Sequence, residues 1–178
     1  IKGSRCTSLK EVSQWICDAG FGGETPVLAA LVDNKLKALD YKIINPHNVR
    51  FVGYEHPDGR RAYIRSLCFV LQKVVRDLHP DKVLAIDYSL PSGLYCEIRH
   101  AEHLEDGRPN VYFATDDELQ TISDRMEAMI AADLPFTHRM LSLEECVALF
   151  SGNGQMEKVN LVKSLGRFNY NVYFLDGQ

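Results

Sequence analysis

The chain has 178 residues, 46% of them hydrophobic and 25% charged, the balance of an ordinary soluble globular protein. That length suits one large domain or a small one followed by a medium one, and the net charge of −4 gives no overall pull toward nucleic acid or an acidic membrane. No apolar run approaches the roughly 18 residues of a membrane span and no stretch reads as a signal peptide, so the cytoplasm is the expected compartment and no membrane partner is expected.

Ser8 to Asp18 reads SLKEVSQWICD, and the spacing of Ser8 and Glu11 is that of a capping box. In that device a hydroxyl and a carboxylate each satisfy an otherwise orphan backbone donor. Leu9, Val12, Trp15 and Ile16 then share one face of a short helix, which the glycines of GFGG stop. VLAALVDNKLKAL predicts two strands around a turn at Asp33 and Asn34, and NVRFVGY predicts a third. A short helix on a small sheet points to a compact α+β module of ubiquitin-like type.

HPDGRR, from His56 to Arg61, has loop composition and is the expected domain boundary. A long helix follows from roughly Ala62 to Leu78, closed by His79-Pro80. Its residues Ile64, Leu67, Cys68, Leu71, Val74, Val75 and Leu78 keep helical spacing. VLAIDYS and GLYCEI predict a buried strand pair joined through LPSG, with Gly93 at the turn and Tyr95 and Cys96 on opposite faces. VYFA predicts another strand. Thr115 with Glu118 is a second capping box, opening a helix through about Ala132, and Ser142 with Glu145 is a third. A last helix runs from roughly Gln155 to Leu165, after SGNG (Ser151 to Gly154), a helix-ending turn. The expected domains are 1–54 and 60–178. The chain starts at Ile1 in a strand-like stretch and stops just after the strand-like NVYFLDG. The expectation is an excised piece of a longer protein, its first domain lacking a strand and its second truncated at the C-terminal end.

The five cysteines (Cys6, Cys17, Cys68, Cys96 and Cys146) include no CxxC pair. Cys17, Cys68 and Cys146 fall in apolar helical patterns, so buried reduced thiols are expected rather than disulfides or a metal site. No GxxxxGK[ST], GxSxG or HExxH occurs. His100 and His103 have an i, i+3 spacing but sit in the charged run RHAEHLEDGRP, where a solvated loop is expected. His47, His56, His79 and His138 neighbour prolines or turns without a convergent partner visible in the sequence.

The order of these elements resembles a known pair of modules. The first fifty or so residues look like a TGS domain, the small β-grasp unit of threonyl-tRNA synthetases and some GTPase-like regulators. The remainder is similar to the editing region of threonyl-tRNA synthetase, where a helix bearing HxxxH leads to a GFYYD-like strand pair and an EALEKRM-type helix. The counterparts are YIRSLCFVL, SGLYCEI and DDELQTISDRMEAMI, followed by SLEECVALF and GQMEKVNLV. HPDGRRAYIRSLCFVLQK and DYSLPSGLYCEI are closer still to bacterial uridine-kinase-like proteins, in which such a front end precedes a P-loop kinase domain.

In the resembling register the two histidine positions are Arg65 and Phe69. Arginine stays protonated and phenylalanine has no lone pair, so neither ligates a metal or acts as a base near neutrality. The degenerate pair reads as a surface arginine and a core or cleft-wall ring, or as parts of a pocket that binds without hydrolysing. Arg60, Arg61, Arg65, Lys73 and Arg76 lie along the long helix, with Asp77 as main counter-charge. They form either a solvated face or an RNA-phosphate contact. No catalytic residue, metal or cofactor is therefore expected in this segment. The resemblance implies a regulatory or ligand-binding front end, with ATP and magnesium serving a C-terminal nucleoside kinase domain of the same parent chain. RNA or a small nucleotide-like ligand is a possible partner. The alternatives are a tRNA-like RNA-binding module and an editing domain.

Overall fold

The computed structural model describes residues 7–21, 25–91 and 93–175. Cys6, the last two glycines of GFGG, Ser92 of LPSG and the final Asp-Gly of NVYFLDG lie outside the described residues. The chain is a mixture of helices and antiparallel sheets, as expected for an α+β protein, and divides into two compact units, Ile1–Phe69 and Val70–Gln178.

In the first unit, β1 (Thr7–Ser8) leads into α1 (Leu9–Ile16). Ser8 caps α1 as the sequence predicts: its hydroxyl accepts from the Glu11 N–H, while Glu11 Oε2 accepts from the Ser8 N–H at 2.8 Å. Leu9 is fully buried, but Trp15 on the same predicted face is exposed, and the turn Cys17–Phe21, kinked at Gly20 with φ +78°, closes the helix. The sheet runs β3 (Lys35–Lys37), β2 (Ala29–Val32), β5 (Val49–Val52), while β1 pairs with β4 (Lys42–Ile43). All four residues of β2 are buried because both faces are covered. Ala30 and Val32 cluster with Leu9 on one side, and Ala29 and Leu31 with Val52 on the other. The β2–β3 turn uses Asp33 and Asn34 at φ 47° and 63°, the positive pair that a two-residue hairpin turn demands.

The segment HPDGRR is helix rather than loop: α2 spans Pro57–Leu78. Proline is well placed in a first turn, where its missing donor costs nothing. His56 Nδ1 accepts from the Asp58 N–H at 3.2 Å, doing the work of a capping oxygen. Gly59 is required by close approach, since a Cβ there would lie 2.0 Å from the Gly53 carbonyl oxygen.

In the second unit, β6 (Lys82–Leu90), β7 (Gly93–His100) and β8 (Val111–Tyr112) form an antiparallel sheet with an irregularity between Ile86 and Tyr88. This pair is not the buried one expected: Leu94 is half-buried, while Tyr95 and Cys96 are exposed. The strand in VYFA stops at Tyr112, and Phe113 is 86% exposed. Helix α3 (Asp116–Ala131) opens on the Thr115–Glu118 box and α4 (Leu143–Gly152) on the Ser142–Glu145 box, both as predicted. Gly154, at φ +69°, turns the chain into α5 (Met156–Leu165), which contacts α4. A second antiparallel pair joins β9 (Phe136–Ser142) to β10 (Asn169–Leu175). Val74, Val75, Ile122, Cys146, Val159, Val162, Phe174 and Leu175 are buried.

Candidate functional site

Arg65 and Phe69 are one turn apart on α2, and helical geometry sets them side by side. Arg65 is exposed and Phe69 half-buried. Among the described residues, no group of three or more His, Cys, Asp or Glu side chains is placed to hold a metal ion.

The five basic residues of α2 do not form one open stripe. Arg60 lies over the Tyr54 ring, 5.3 Å from its centroid, and Tyr54 meets Tyr63 edge-on at 5.3 Å. Arg61 is ion-paired with Asp58 at the first turn. Lys73 is paired with Asp77 at 2.5 Å, as its counter-charge position predicts. Arg76 is half-buried and acts on a residue the sequence does not single out: the Lys158 amine is held below its ordinary value, first by desolvation and then by the Arg76 charge. Although Lys158 is exposed as a residue, its amine is only 5.6 Å from the Phe150 ring centre.

Several histidines do find partners, contrary to the sequence expectation. His47 Nδ1 lies 2.6 Å from Asp33 Oδ2, and Asp33 Oδ1 accepts from the Asn48 N–H, which ties the hairpin turn to the entry of β5. His138 lies against Tyr173 across the β9–β10 pair. In the second unit a polar cluster gathers His79, Lys82, His100, Tyr112 and Glu118. Tyr112 donates to Glu118 Oε1 at 2.6 Å, His79 Nε2 stands 4.0 Å from the same oxygen, and Lys82 Nζ lies 4.4 Å from the Tyr112 ring centre. The rings of His79 and His100 both approach Tyr112. Cross-strand register explains the convergence, because Lys82 opposes His100 and Ile98 opposes Tyr112. The Tyr112 hydrogen bond, and then the Thr115 N–H, hold the Glu118 carboxyl below its usual range, and Tyr112 is raised in turn. An ionised carboxylate already engaged by three donors is a clamp rather than a ready proton acceptor.

On β7, Tyr95 donates to Glu97 and Arg99 bridges Glu97 and Asp87, the residue at the strand irregularity. Tyr88 and Tyr95 stack with ring centres 4.8 Å apart. Glu97 is kept ionised by Tyr95 first and by Arg99 second. The first unit holds a separate concavity of about 240 Å³, whose lining includes Cys17, Phe51, Gly53 and Glu55.

No family model matches the chain. It is 29% identical to a threonine–tRNA ligase of Carboxydothermus hydrogenoformans over 138 residues, which covers 78% of this chain and 20% of that protein. It is 26% identical to one of Acidithiobacillus ferrooxidans over 148 residues, 83% of this chain and 21% of the other. A third, of Pelobacter propionicus, is 25% identical over 154 residues, 86% of this chain and 23% of the other. Over most of its length the chain is thus related in sequence to part of the threonine–tRNA ligases, and it spans about a fifth of those relatives.

Proposed function

We propose that this chain is a threonyl-tRNA-synthetase-related region that holds a ligand without hydrolysing it. The observation that carries the reading is Arg65 and Phe69 on α2, where the resembling helix carries two imidazoles, within a chain similar to the ligases over 78–86% of its length. Residues 1–54 make a TGS-type β-grasp module and residues 60–178, which include Arg65 and Phe69, an editing-like module. The parent is a cytoplasmic uridine-kinase-like phosphotransferase whose ATP- and magnesium-dependent chemistry lies in a C-terminal domain outside this chain. That domain is its partner.

Three assays test this. The parent protein phosphorylates uridine or a related nucleoside, and this chain alone does not. This chain also fails to deacylate seryl-tRNA. Kinase turnover or deacylation by the chain alone overturns the reading.

A second reading, an RNA-holding module, draws support from the similarity to tRNA ligases, from the Arg60–Tyr54 stack and from the exposed Arg65 further along α2. It requires tRNA affinity that falls with salt, and a salt slope reduced by about one for each phosphate contact removed through Arg60→Ala or Arg65→Ala. Salt-insensitive or absent binding eliminates it.

A further inference from the structure

We propose that Asn153–Gly154 is a site of spontaneous covalent modification, at which Asn153 deamidates through a cyclic imide and loosens the corner between α4 and α5; this goes beyond the reading above and does not depend on it. The corner is a Schellman motif. The Gln155 N–H donates to the Phe150 carbonyl at 2.8 Å and the Gly154 N–H to the Ser151 carbonyl at 3.1 Å. Gly154, at φ +69°, occupies the left-handed region that closes such a motif, where a side chain would be strained. The corner therefore calls for glycine, and the sequence sets an asparagine directly before it. No other asparagine of the chain precedes a glycine.

The chemistry needs water and no other reactant. The Gly154 nitrogen attacks the side-chain carbonyl carbon of Asn153 and closes the imide, while its proton leaves with the side-chain amino group as ammonia. Water then opens the imide at either carbonyl. The products are aspartate and an isoaspartate whose backbone runs one methylene longer, through the former side chain. Glycine favours the attack because no Cβ shields its nitrogen. Asn153 and Gly154 are both exposed, and a Cβ built on Gly154 would meet nothing within 4 Å, so the ring has room to form. Among the described residues no partner holds the Asn153 carboxamide, which is left solvated and free to turn. Asp58–Gly59 and Asp106–Gly107 are the contrast, since each carboxylate is paired with an arginine, Arg61 and Arg108, and an ionised, paired carboxylate resists attack. The imide nitrogen carries no hydrogen, so its bond to Ser151 is lost while the ring lasts. The longer isoaspartate path then draws the Gln155 N–H away from Phe150. Either product also sets a carboxylate at the C-terminal end of α4, the negative end of the helix dipole. The turn that leads from α4, with buried Cys146, into α5, with buried Val159, is weakened in both cases.

The full chain is aged in mildly alkaline buffer at body temperature. Isoaspartate is then read by enzymatic methylation with protein isoaspartyl methyltransferase and by peptide mass spectrometry. The peptide holding Asn153 should be the first asparagine peptide to lose its amide, and it should take the methyl label ahead of those holding Asp58 and Asp106. Asn153→Gln, whose side chain needs a larger and slower-forming ring, should lose the label with its thermal unfolding curve unchanged. In the aged chain the Gln155 amide should lose its protection from hydrogen exchange, while the Leu31 amide in β2 keeps its own. An Asn153 still intact after ageing, earlier label at Asp58 or Asp106, label that persists in Asn153→Gln, or a Gln155 amide still protected in the isoaspartate-bearing chain would each overturn the proposal.

Discussion

The phenol of Tyr112 donates to one oxygen of Glu118 at 2.6 Å, while the other oxygen accepts from the Thr115 N–H at 2.8 Å and from its hydroxyl at 3.1 Å. A strand residue thereby completes a helix cap that local sequence had already begun. Because the folded carboxyl is held below its ordinary value, its ionised form adds stability above the unfolded pKa, and that contribution is lost as pH falls through the folded pKa. In Tyr112→Phe the Glu118 titration, followed by NMR, should move up toward the ordinary value. The acid-unfolding midpoint should move to higher pH with it. An unmoved Glu118 titration would mean that the phenol does not hold the carboxylate.

The approach of Gly59 to Gly53 gives a contrast between two alanine substitutions. A Cβ at Gly59 meets a backbone carbonyl at 2.0 Å, and backbone cannot rotate aside as a flexible side chain can. Gly59→Ala should therefore cost about 1–3 kcal/mol or more. Gly152→Ala, at the end of α4 with open space around it, should gain about 0.5–1 kcal/mol from reduced chain entropy. Urea unfolding of both variants checks the sign of each.

Caps and core should separate by size. Ser142→Ala removes the hydroxyl that accepts from the Glu145 N–H and should cost about 0.5–2 kcal/mol. Leu9→Ala empties a fully buried position beside Ala30 and Val32 and should cost about 2–5 kcal/mol. Equal losses in denaturant melts would contradict the burial of Leu9.

Thiol reactivity should follow exposure and ionisation together. Cys17 is exposed, whereas burial raises the Cys146 and Cys68 thiols and shrinks their thiolate fraction. Iodoacetamide at neutral pH should alkylate Cys17 first, Cys68 later and Cys146 only on unfolding, read by the mass of each peptide. Early alkylation of Cys146 in the folded chain would contradict its place in the core.

The missed strand β9 shows where sequence reasoning stops. Its residues FTHRMLS mix polar and apolar types without clean alternation, and most of them stay exposed, so no period of two marks them. It forms because β10 pairs with it along its whole length, from Asn169–Ser142 to Leu175–Phe136. Trp15 and Phe113 err the other way, since each is apolar by type yet exposed.

By itself the sequence determined the devices whose partners lie within a few residues: three capping boxes, the Asp33-Asn34 turn and the helical period of α2. Those depend on local spacing alone. Only the tertiary structure decided that Asp33 meets His47, that Arg99 bridges Asp87 and Glu97, and that Lys82, His79 and His100 gather round Tyr112. The physical reason is that strand register and chain return choose these partners, and no local spacing encodes either.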